Sequence, residues 1–145
     1  MPTPAPDTGV GATVALTTAT FTASILNVGE LREVVERLDI THLGVASTAN
    51  ARKMPGDNPE LGDIPVSFIF DSQEAVPRSR ANTQDTLTIT LPSADTNNTT
   101  PFSLVVTGFV AEAVLLPALA RNQVNQGTLV FTPDGNTTVT VTVET

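Results

Sequence analysis

The sequence predicts a mainly β fold, an antiparallel sandwich or partly closed barrel, on three observations. Apolar and polar residues alternate with period two in several short runs, most strictly where Thr86, Thr88 and Thr90 face away from Leu87, Ile89 and Leu91. Clusters of Gly, Pro, Asn and Asp punctuate those runs. Threonine occurs 24 times in 145 residues, and this β-branched polar type suits a pleated surface wetted on one side.

The elements follow in order. Residues 1–12 hold three prolines and two glycines with almost nothing apolar, so a flexible leader is expected ahead of a single domain over 13–145. Thr13 to Val28 reads as strand, with Ala19, Phe21, Ala23 and Ile25 on one face and Thr18, Thr20, Thr22 and Ser24 on the other. In Glu30 to Asp39 the spacing of Leu31, Val34, Val35 and Leu38 is helical, and Glu33 stands four residues before Arg37. Periodicity alone favours a short helix there.

After Asp39-Ile40-Thr41-His42-Leu43-Gly44 comes a polar excursion of about twenty residues without a strand signal, unusual in a compact domain and expected to act outside it. It contains Ala51, Arg52, Lys53, Met54, Pro55, Gly56, Asp57 and Glu60. Ile64, Val66, Phe68 and Phe70 then alternate with Pro65, Ser67, Ile69 and Asp71. Pro65 suggests an edge or entry position, and the apolar second face suggests contact with another subunit. The connector 72–85 is polar and broken by Pro77, which leaves room for one short helix and carries Arg78 and Arg80.

Further on, Phe102, Leu104 and Val106 define a face that is expected to switch at Gly108 to Phe109, Ala111, Ala113 and Leu115, one long bent strand. Gly127 to Thr132 and Thr137 to Glu144 flank Pro133-Asp134-Gly135-Asn136, which predicts a terminal hairpin.

Composition narrows the function. With no cysteine and one histidine, His42, thiolate metal sites, disulfides and paired-imidazole sites are excluded. Tryptophan and tyrosine are absent, which weighs against sugar-binding and base-stacking surfaces. A net charge of −8 with only seven basic residues opposes the phosphate backbone. No apolar run approaches the ~18 residues that span a bilayer, and Met1-Pro2-Thr3-Pro4-Ala5-Pro6 lacks the basic start and apolar core of a secretion signal. A soluble protein with no membrane partner is expected.

The remaining constellations are weak. His42 and Asp39 lack a nucleophile elbow, so a catalytic triad is not supported and no enzyme is expected. Asp57, Asn58, Glu60 and Asp63 depart from the EF-hand spacing, and a solvated turn or interface loop is the better reading, with no metal or cofactor. Acceptor tripeptides at Asn97, Asn98 and Asn136 are expected by chance in so Thr-rich a chain. Arg52, Lys53, Arg78 and Arg80 against Glu30, Glu33, Glu36 and the acids at 57–63 read as an ordinary solvated surface or as complementary charge between stacked copies.

The ordered pattern of Phe21 to Ile25, Leu38 to Gly44, Ala51 to Gly56, Gly62 to Asp71, Thr86 to Pro92, Gly108-Phe109-Val110 and the closing strands resembles the tail tube (major tail) proteins of long-tailed bacteriophages and gene-transfer-agent tails. The resemblance spans roughly residues 13 to 143. It implies a β-sandwich with a short flanking helix, six subunits closing into a ring, and an inter-ring loop between early strands. It also implies strand, not helix, over Val34 to Ile40.

Ala51, Arg52, Lys53, Met54, Pro55, Gly56, Asp57 and Glu60 then become inter-ring candidates, Ile64, Val66, Phe68 and Phe70 inter-subunit strand candidates, and Arg78 and Arg80 candidates in the second connector. The implied function is a structural virion subunit: stacked homohexameric rings that enclose the tape measure protein, meet tail-end proteins and let DNA pass without binding it. The alternatives are a tail terminator or capsid decoration protein, which forms one closed oligomer, and a ligand-binding β-sandwich, which the missing Trp and Tyr disfavour.

Overall fold

The computed structural model describes residues 11–17, 21, 24–41, 51–73, 75–77, 84–93, 97–135 and 139–145. Its strands are β1 (Thr13–Leu16), β2 (Ile25–Val28), β3 (Glu33–Val34), β4 (Arg37–Asp39), β5 (Lys53–Pro55), β6 (Glu60–Leu61), β7 (Ile64–Ile69), β8 (Asp85–Thr90), β9 (Ser103–Ala113), β10 (Gln126–Pro133) and β11 (Thr140–Thr142). A seven-stranded sheet runs β1-β8-β9-β10-β7-β2, with β11 also on β9, and every pairing is antiparallel. The fold is mainly β and of the sandwich type, and the sheet is not closed into a barrel.

Period-two alternation decides which face is inside. Ile64, Val66 and Phe68 of β7, Leu129 and Phe131 of β10, Val106 and Val110 of β9, Leu87 of β8 and Val14 and Leu16 of β1 form one buried cluster. Strands from margin to margin share this core, so the sheet curls about its own inner face. Fully burying such a side chain contributes about 1.5–3 kcal/mol, and these residues therefore carry most of the stability. The opposite face of β8 and β9 is half-exposed and hydroxyl-rich, with Thr86, Thr88, Thr90 and Thr107 in register.

The first predicted strand divides in two. β1 pairs with β8 and β2 with β7, at opposite margins of the sheet. The chain between them crosses from one margin to the other, and Phe21 is buried on the way with its ring edge-on to Phe68 at a centroid separation of 5.0 Å. Over Val34 to Ile40 the structure has strand, β3 and β4, and not helix. In the connector 72–85 no helix occurs among the described residues; Val76 and Pro77 are buried instead, and Pro77 lacks the N–H a helix would use. Arg78, Arg80 and His42 lie outside the described residues, as does nearly all of the expected leader.

Two expectations are corrected in the closing strands. The terminal hairpin does not form: β10 and β11 do not pair with each other, but both run antiparallel to β9, at Pro133↔Gly108 and Thr140↔Val105. Six residues lie between Pro133 and Thr140 and two between Val105 and Gly108, so the two segments follow one border of β9 with four more residues on their side. Gly135 supplies the left-handed turn of that detour at φ 74°. An eleven-residue β9 offers an open border long enough for both segments, which outweighs local turn chemistry.

The bend in β9 is likewise not at Gly108. Val106, Gly108 and Val110 stay buried in sequence, and the irregularity falls where Val130↔Glu112 gives way to Phe131↔Val110, which leaves Ala111 as the extra residue.

Candidate assembly interface

β2 and β7 do not end at the body of the molecule; they continue outward as a two-stranded ribbon. Val28 pairs with Val66, Glu33 with Leu61, Val34 with Glu60, Arg37 with Pro55, Leu38 with Met54 and Asp39 with Lys53. Between these pairs the ladder is held by Gly29 N–H to Pro65 O at 2.7 Å, Gly62 N–H to Arg32 O at 2.8 Å, Gly56 N–H to Glu36 O at 2.6 Å and Ile40 N–H to Arg52 O at 3.0 Å. The excursion expected to be structureless is thus a β-ribbon up to Thr41 and Arg52, with a contour on the order of 40 Å.

Two local devices shape it. From Val34↔Glu60 to Arg37↔Pro55 the outgoing strand advances three residues and the returning strand five, so Asp57, Asn58 and Pro59 bulge from the ladder. At the far end the Asp39 carboxylate accepts the Thr41 N–H at 2.8 Å, while the Arg52 N–H donates to Thr41 Oγ1 at 2.7 Å. The backbone N–H of Thr41, then its hydroxyl, holds the Asp39 carboxyl below the ordinary value of 3.8.

Cross-strand partners share a face. Val34, Leu38 and Ile40 therefore lie together with Met54, and they are 54%, 39%, 47% and 45% exposed. Val34, Glu36, Leu38, Gly56, Asp57, Asn58 and Glu60 line one concavity of about 560 Å³ on this face. Val34 and Leu38 stand exposed there among the carboxylates of Glu36, Asp57 and Glu60. Arg37, Asp39, Lys53 and Pro55 take the other face by alternation.

Of the residues singled out in the sequence, Lys53, Met54 and Pro55 are β5, Ala51 and Arg52 lead into it, Gly56 and Asp57 line the concavity, and Glu60 begins β6. The structure does not bring Ile64, Val66 and Phe68 to this surface: they are in the chain's own core, and β7 is paired on both sides, by β10 and β2. Phe70 is partly buried against that core. Asp63 is drawn away from the bulge, its carboxylate accepting Thr132 Oγ1–H at 2.9 Å.

Sequence reading missed a second uncovered patch, the β9–β10 connection. Leu115, Leu116, Leu119 and Val124 are exposed there beside Arg121, while Pro117 is buried and anchors the loop. Its shape is set by Val114 N–H to Thr128 O at 3.0 Å, Phe70 N–H to Asn125 O at 2.9 Å, and a left-handed Asn122 at φ 63°. Pro117 inside an apolar run was the available signal, since it ends strand pairing and leaves neighbouring leucines in a loop.

No family model matches the chain, and no curated protein matches it. Among solved structures, one similar chain belongs to the cryo-EM structure of an extracellular contractile injection system, the PVC sheath/tube terminator in its extended state. The superposition has a TM-score of 0.68 at 14% identity, over 98% of this chain and 99% of that one. The likeness is one of fold, along the whole of both chains.

Proposed function

We propose that this chain is a non-enzymatic structural subunit of a tail-like tube assembly, and that it closes the end of a stack of rings as a terminator in preference to building the stack. The observation that carries the assembly role is the ribbon: about a dozen residues on each strand leave the core and carry the exposed apolar side chains Val34, Leu38, Ile40 and Met54, which nothing among the described residues covers. Uncovered ribbon of this kind is normally managed by pairing or burial against a neighbour. End-to-end agreement of fold with the terminator structure supports the terminator over the tube subunit that the sequence first suggested.

In this reading the subunit forms a closed ring, a homohexamer by the resemblance in sequence. It seats on the last tube ring, around the tape measure protein, and leaves a passage for DNA. The net charge of −8 keeps that passage from holding phosphate.

Light scattering and negative-stain microscopy across a concentration series test it. One closed ring of fixed mass is the expected result. Filaments that lengthen with concentration would assign the chain to the tube itself, and a monomer at every concentration would remove both readings.

A further inference from the structure

The two uncovered patches lie at opposite ends of one rigid ladder. The ribbon leaves from the start of β7, where Ile64 faces Phe131; the β9–β10 loop leaves from the other end, where Ile69 faces Gln126. Six residues of strand, roughly 20 Å, separate them, so they cannot meet within one chain.

They are also complementary. The ribbon's concave face sets Val34 and Leu38 among Glu36, Asp57 and Glu60. The loop presents Leu115, Leu116 and Leu119 with Arg121, its one charged residue. One surface sets two apolar side chains among carboxylates, and the other is apolar with a basic residue.

We propose that the concave ribbon face of one copy seats on the 114–125 loop of the next copy, apolar side chains against apolar side chains and Arg121 against the carboxylates of Glu36, Asp57 and Glu60. Patches at opposite ends of a rigid body make a heterologous, head-to-tail contact, which closes into a ring or extends according to the rotation between copies. Arg121 sets register and encounter more than strength, while the leucines supply the buried area. The inference rests on the chain being an assembly subunit, but not on whether the assembly ends as a ring.

The absence of cysteine gives a clean test. Leu38→Cys and Leu116→Cys are made separately, both at exposed positions, and checked for unchanged circular dichroism. On mixing under mild oxidation with copper phenanthroline, the expected product is a disulfide dimer holding one chain of each variant, identified by mass. Arg121→Glu is expected to raise the concentration for half-assembly about tenfold, and Arg121→Glu with Glu60→Arg to recover most of that loss.

If the native chain assembles but Leu38→Cys links only to itself, the contact is ribbon to ribbon and the inference is overturned while the assembly reading stands. A native chain that stays monomeric at every concentration overturns both.

Discussion

Gly127 has no side chain because the ring of Phe68 occupies the space: a Cβ there would lie 2.6 Å from Phe68 Cζ. Phe68 is itself held edge-on by Phe21, the residue that carries the chain across the core. Gly127→Ala must therefore displace a fully buried ring, and a loss of about 1–3 kcal/mol is expected from the shift in urea midpoint. Phe68→Ala leaves a cavity in place of strain and should cost about 3–5 kcal/mol by the same measurement. At the ribbon tip the sign of the pH effect follows from Asp39. Its carboxyl is lowered in the folded chain, so the turn to Thr41 is fully formed above the ordinary carboxylate value and loosens as pH falls through the lowered one. A side-chain titration of Asp39 followed by NMR should have its midpoint below 3.8, and Thr41→Gly should move that midpoint upward.

The ribbon is an element whose stability is separable from that of the body. Its outer pairs bury little, and among the described residues none of the fully buried side chains lies between Gly29 and Gly62. Replacing residues 36–58 by a two-residue Asn-Gly turn, so that Val34 and Glu60 remain paired, should leave the unfolding midpoint of the body within about 1 kcal/mol and abolish assembly in light scattering. A large fall in the midpoint would instead place the ribbon in the core. Helical spacing of Leu31, Val34, Val35 and Leu38 was misleading because only Leu31 packs against the core; the other spacing, Val34, Leu38 and Ile40 on one side of a strand, leaves all three exposed.

For the molecule as a whole, protection should be graded along the sheet. β7, β8, β9 and β10 form the long interior ladders and hold the largest fully buried side chains, whereas β4 and β5 are exposed along their length. Hydrogen exchange of the free chain should show slow amides in the four interior strands and fast ones from Arg37 to Asp39 and Lys53 to Pro55. On assembly the fast group should slow by tenfold or more while the interior is unchanged, since binding covers the ribbon and leaves the core as it was. Equal exchange before and after assembly would place the contact elsewhere on the surface.

The sequence by itself determined the fold class, because period-two alternation at Ile64 to Phe70 and Thr86 to Leu91 has one solution that buries the apolar half of each strand. It also singled out the polar excursion of about twenty residues after Gly44, as a stretch without a strand signal between two that have one. Which strands meet was decided only by tertiary structure. Pro133 to Asn136 carried hairpin chemistry worth a local turn, but the free border of a long β9 offered hydrogen bonds to both flanking segments at once, and the longer ladder prevailed. The same holds for the joining of β1 and β2 to opposite margins, and for the ribbon that the excursion became: each depends on backbone partners that are distant in sequence, and local composition carries no record of them.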